Sequence, residues 1–434
     1  HLGKTLTLGS GSTLAVNGGI LSFGVGAGNA SGLIDMTANT TTAPTFAGSN
    51  TLNISEWIAG GYTVLKAGTA MAAGAPGTFQ TFTVGGNTLG TGMNITPSLA
   101  NGGKDLLVTA SLSRDNAELT WGGAASGAWN YTDTNWTLGG LSANFLPKDA
   151  ALLNGMGGKT HTITLGGTSV SLSGLLATEL DDYTLSGAAL HIDSSGAQGA
   201  AVPALSYAGK LVKDGGGILT LATGSAANPN RINTIELNNG NLKLGDGFAL
   251  TPVSGRGTFT NSGGMLSLAG AVSISDYDLS WPGAFYIAPG STLTLADSTL
   301  DKNSVALSME DGSTLVSAGA YNTLNNTGLT IRNGGGLEMR GNSVLTVADT
   351  VDPSVKFTRI NIAVLQDVQT DNLKFLKTFE RGVYRVSIKS HDIFAQVTQH
   401  LIQDGGNHGF AHAALALLNE MNGSHTHLFL RLNS

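Results

Sequence analysis

The stretch "KDGGGILTL", residues 213–221, sets three glycines in front of a strand in which Leu219 and Leu221 alternate with Ile218 and Thr220. A strand sends every second side chain to the same side, so the two leucines share one face. The glycines give the chain a corner in which it can turn sharply. The same grammar returns as "GNLKL" at Leu242, "GMLSL" at Leu266, "GSTLTL" at Leu293, "GSTLVS" at Leu315 and "GGLEM" at Leu337. The intervals run from roughly 22 to roughly 27 residues, a period that marks a stacked repeat. Each repeat reads as one coil of a parallel β-solenoid, with the next coil about 4.8 Å further along. The six leucines are expected to stack as one buried column.

Composition agrees with turns and strands. The 434 residues include 62 glycines, and only 12% are charged, about half the usual globular share. A net charge of -7 argues against nucleic acid or an anionic membrane surface as partner. The absence of cysteine removes disulfide frameworks, thiolate catalysis and cysteine-based zinc sites together. No apolar run approaches the roughly 18 residues of a membrane span, so no membrane insertion by this segment is expected. The opening "HLGKTLTLGSGSTL" is already strand-like, so these residues are expected to start inside a folded region, with any export signal already removed.

The grammar divides the chain in three. Residues 1–113 read as a first solenoid module, beginning "GKTLTLGSGSTLAVNGGILSF". A second, 114–350, enters through "WGGAASGAWNYTDTNWT", which holds Trp121, Trp129 and Trp136. After Val351 glycine thins out and charge rises. There "VYRVSIK" and "HLFLRLN" alternate as strands, while residues 392–405 and 407–423 show helical spacing between an N-cap and a glycine stop. Residues 351–434 therefore read as a small α+β cap over the last coil.

The run from "TWGG" through "GAWN", "TNWT" and "LPKDAALLNG" to "GKLVKDGGGILTL" and "INTIELNNGNLKLGD" resembles the passenger region of bacterial autotransporters with autotransporter-associated β-strand repeats. The resemblance covers most of residues 1–350. It implies a right-handed parallel β-helix, and export to the surface of, or release from, a Gram-negative-type bacterium. Lack of cysteine fits a chain that crosses the outer membrane largely unfolded. The membrane β-barrel that usually ends such proteins, with its alternating strands and aromatic girdles, has no counterpart in these residues.

Three groups of side chains are candidates for chemistry. In "SDYDLS", Asp276 and Asp278 are two apart, so on one strand both point the same way, about 6.5 to 7 Å apart; that separation suits a pair of acids flanking a water. "ELDDY", with Glu179, Asp181 and Asp182, and "MEDG", with Glu310 and Asp311, are further acid groups. Trp121, Trp129 and Trp136 either stack on sugar rings or pack the module entry. His408 and His412, four apart in "HGFAH", have metal-ligand spacing for zinc. Gly409, however, stands where a zinc protease carries its glutamate. No cofactor is otherwise implied, and no phosphate loop is present.

The leading reading is an exported, surface-displayed or secreted solenoid that contacts host glycoprotein of mucin type, its glycans, or other cells, in an adhesive or structural role. The alternative is a secreted protease or glycosidase that degrades such glycoprotein with paired carboxylates. A pure spacer is the third.

Overall fold

The structure is a computed structural model. It describes residues 5–24, 32–57, 59–114, 117–123, 126–194, 205–281, 285–303, 307–325, 327, 329–331, 334–341 and 343–348, with strands at 360–363, 375–376, 383–386, 413–418 and 427–432. Among these residues there is no α-helix, and the only helical segments are the short 3-10 turns Pro76–Thr78 and Asn101–Gly103. The fold is an all-β solenoid built from parallel sheets. It divides into two compact units, residues 1–215 with 230–232, and residues 216–229 with 233–434.

The second unit shows how the repeat works. Its main parallel strands stack in three walls. Wall A stacks Thr234–Leu237, Gly257–Asn261, Tyr277–Ser280, Thr299–Asp301, Tyr321–Asn325 and Val344–Ala348. Wall B stacks Ile218–Thr223, Asn241–Leu244, Met265–Leu268 and Phe285–Ile287. Wall C stacks Ala249–Thr251, Ala271–Ser275, Thr292–Ala296, Thr314–Ala318, Gly336–Met339 and Ile360–Ala363. All these pairings are parallel. Leu242 is in register with Leu266, and Leu266 with Phe285 after a shorter coil. Coil length therefore varies while inward positions stay aligned.

The expected single leucine column is in fact two. Leu219, Leu242 and Leu266 stack on wall B, and their column continues to Phe285. Leu293, Leu315 and Leu337 stack on wall C, where the partner before Leu293 is Val272. The change of wall falls within the longest of the motif intervals, the one from Leu266 to Leu293. All six leucines are buried nonetheless. Each is worth roughly 1.5 to 3 kcal/mol of transfer free energy.

The first unit begins with longer coils. Thr5 pairs with Leu33, and Ile34 with Leu65, each a wider step along the chain than any between the parallel strands of the second unit. Gly60–Ala67 is then covered by the antiparallel hairpin Met93–Ala100 and Asp105–Leu112. The junction at 113/114 lies inside this unit. Beyond it, Glu118–Trp121, Ala150–Leu153, Gly174–Ala177 and Lys210–Lys213 form one parallel wall, and Thr160–Leu172 pairs with Asp182–Ile192 in another. Gly215, in the opening stretch, passes so close over the preceding coil that a Cβ there would collide with the backbone of Thr178 and Glu179. Only glycine fits that crossing.

The end of the chain corrects one expectation. Both strands read at 383 and 427 are present, as Val383–Val386 and His427–Leu432. Within the helix expected at 407–423, however, Ala413–Leu418 is a strand, antiparallel to His427–Leu432. Its unbroken run of alanines and leucines suits a buried strand as well as a helix, and periodicity cannot separate the two. The helix expected at 392–405 lies outside the described residues.

Candidate functional site

Wall A carries an ordered outer surface. Its inward residues Ile235, Phe259, Leu279, Leu300 and Leu324 are buried in register. The alternate positions must then face out, and they form a row: Thr234, Thr258, Asp278, Thr299, Thr323 and Thr346. A second row, two residues on, holds Glu236, Thr260, Ser280, Asp301 and Asn325. Neighbouring members of a row are about 4.8 Å apart. The result is a repeating array of hydroxyl, amide and carboxylate groups.

At the corner that feeds the first row stand Arg256, Asp276, Asp297 and Tyr321. Arg256 lies across two coils. Its Nε donates to Asp278 Oδ1 at 2.7 Å, one Nη to the Asp297 carbonyl at 2.6 Å, and the other to the Tyr277 carbonyl at 3.1 Å and Thr299 Oγ1 at 3.0 Å. The Arg256–Asp278 pair is open to water, so it adds at most about 1 kcal/mol. Its effect is to fix the surface. Asp297 Oδ1 accepts from the backbone N–H groups of Ala320 and Tyr321 at 2.7 and 3.0 Å. Those bonds hold the turn that presents the Tyr321 ring, 70% exposed.

Asp276 and Asp278 thus belong to one surface, but not as the expected strand pair. Asp276 occupies a left-handed turn with φ 61°, ahead of the strand Tyr277–Ser280 that carries Asp278. Both face bulk water. A paired-acid mechanism needs two carboxyls sharing a water-poor groove, and that premise is not met.

The tryptophans pack the module entry. Trp121, Trp129 and Trp136 are 7%, 0% and 1% exposed. Trp136 meets Trp121 at 5.1 Å and Trp129 at 4.7 Å between ring centroids, and Phe145 closes the cluster. Their faces are used up by one another, which corrects the glycan-stacking alternative. Such edge-on contacts add about 0.5 to 1.5 kcal/mol each beyond burial. His408 and His412 lie outside the described residues, and among the described residues no cluster of three or more metal-ligating side chains occurs.

The "ELDDY" acids sit at a buried corner of the first unit. Glu179 and Lys213 are fully buried 3.3 Å apart. Burial raises the glutamic acid and lowers the lysine, driving both toward their neutral forms. Beside them Asp181 takes a 2.8 Å bond from His161 Nε2, which with the Lys159 N–H holds its carboxyl below the usual range. The His161 ring stacks on Tyr183 at 4.6 Å, and burial, with the charges of Asp181 and Glu179, pushes that phenol up to about 12. No side-chain hydroxyl is bonded to His161 among the described residues. The group therefore locks a corner of the first unit.

The surface around Tyr321 was missed in the sequence because its members, Arg256 to Tyr321, come from successive coils. The signal that could reveal them is the outward position two residues before each wall A threonine. No known family, curated protein or solved structure matches the chain.

Proposed function

We propose that this chain is an exported, right-handed β-solenoid passenger of a Gram-negative-type bacterium, displayed at or released from the cell surface, and that wall A contacts the glycans of host glycoprotein or of neighbouring cells. The right-handed turn is supported by the parallel connections within the three walls of the second unit, which take that hand in about 98% of known cases. The lack of cysteine supports passage across a membrane unfolded. The observation that carries the adhesive reading is the registered outer row from Thr234 to Thr346 with Tyr321 beside it. Many weak, evenly spaced polar contacts and one exposed ring suit a sugar surface better than a single deep site.

The test is binding to an immobilised mucin-type glycoprotein, before and after its glycans are removed enzymatically. Binding should fall at least tenfold with the glycans gone, and Tyr321→Ala should weaken it by about tenfold, as loss of an aromatic anchor does. Equal binding to the stripped protein would sink the reading.

A further inference from the structure

We propose that wall A takes a linear, 1,4-linked glycan bearing free amino groups, laid along the solenoid axis. The inference rests on the glycan reading above in its neighbouring-cell form, and adds the direction, the linkage and the charge of the ligand.

Direction follows from the register. The first row advances one side chain per coil, about 4.8 Å at a time, over the positions from Thr234 to Thr346. A pyranose linked through opposite ring positions advances by nearly one such step. Each sugar can then meet one rung. An extended peptide laid the same way repeats its same-side residues every 6.5 to 7 Å or so, about one and a half rungs, and loses register almost at once. Where the row passes the corner, the exposed Tyr321 ring offers the flat apolar face that the C–H side of a sugar ring covers.

Charge selects among linear glycans. The first row and the corner carry the carboxylates of Asp276, Asp278 and Asp297 against the guanidinium of Arg256. That guanidinium already donates to Asp278, Thr299 and two backbone carbonyls, which leaves one N–H for an acidic sugar. Among the described residues the Asp276 carboxylate has no side-chain partner, and Asp278 commits one oxygen to Arg256. Ammonium groups on every ring or two would meet these oxygens. Sialylated and sulfated chains would meet like charge.

The experiment titrates the whole protein with glucosamine oligomers of two, four and six units, and with their fully N-acetylated counterparts. Affinity should rise at least tenfold from dimer to hexamer as more rungs engage. It should be at least tenfold weaker for the acetylated hexamer, and should fall as salt screens the contact. The double variant Asp276→Asn, Asp278→Asn should erase the preference for free amines and keep the dependence on length, with an unchanged melting temperature. Equal affinity for both hexamers overturns the amino assignment, and no gain with length overturns the axial one. A hexalysine peptide binding as tightly as the glucosamine hexamer overturns the glycan. If glycoprotein binding needs its glycans while no glucosamine oligomer binds, this inference fails and the adhesive reading stands; if neither binds, both fail.

Discussion

Glu56 shows what one residue contributes to a solenoid that relies mainly on apolar stacking. Burial alone would raise its carboxyl, but the close approach and charge of His191, with Arg231 and Lys148, more than offset that and hold it below its ordinary 4.5. His191 Nδ1 lies 3.2 Å away, and Arg231 is also paired with it. A depressed carboxyl binds fewer protons folded than unfolded. Its stabilisation is therefore complete above the ordinary value and is lost as pH falls through the folded one. Glu56→Gln should lower the melting temperature at pH 7, and the gap from the parent protein should shrink steadily toward pH 3. A gap that widens in acid would contradict this account. None of these partners could be inferred in advance, since Glu56 and Arg231 are 175 residues apart in sequence.

At the scale of the strand, alternation decides which substitutions matter. Leu242 is fully buried between Leu219 and Leu266, while Lys243 beside it points outward. Leu242→Asp should cost about 4 kcal/mol or more, because it buries an unpaired charge. Lys243→Asp should stay within about 0.5 kcal/mol. Denaturant midpoints for the two variants check the pair, and similar shifts would mean the strand is not read as described. This much of the fold was legible: each glycine corner and each inward leucine follows from the local pattern. The division into walls was not. Leu266 and Leu293 carry the same motif, and only the pairing of Leu266 with Phe285 and of Val272 with Leu293 shows that they belong to different walls. The strand Ala413–Leu418 was hidden for a related reason, an apolar run that has no period to read.

For the whole molecule, the open question of any solenoid is what happens at its edges. In the second unit, Val344–Ala348 is followed by the antiparallel Val383–Val386, and Ile360–Ala363 by the antiparallel His427–Leu432. Removing residues 364–434 should bare two strand edges. Light scattering should then show association that grows with protein concentration, where the full chain shows none. A truncated protein that stays monomeric throughout would mean these strands do not guard the stack. The candidate surface was legible only in part at this scale. Asp276 and Asp278 were found by their spacing, but Arg256 and Tyr321 join them only once coils of unequal length are laid in register.

Those reversed strands also bear on how long such an object can grow. A parallel stack is a one-way lattice whose last rung offers to any newcomer what it offered to the coil before. A second copy, arriving head to tail, could continue it without limit. Antiparallel strands break that invitation, because the outer edges they leave, at Phe375–Leu376 and Ala413–Leu418, group donors and acceptors in close and wide pairs instead of spacing them evenly on a slant. The next coil of an identical chain does not match that pattern. The reversal acts as a full stop written into the chain, so its length is counted by its own residues and not by the concentration of its neighbours.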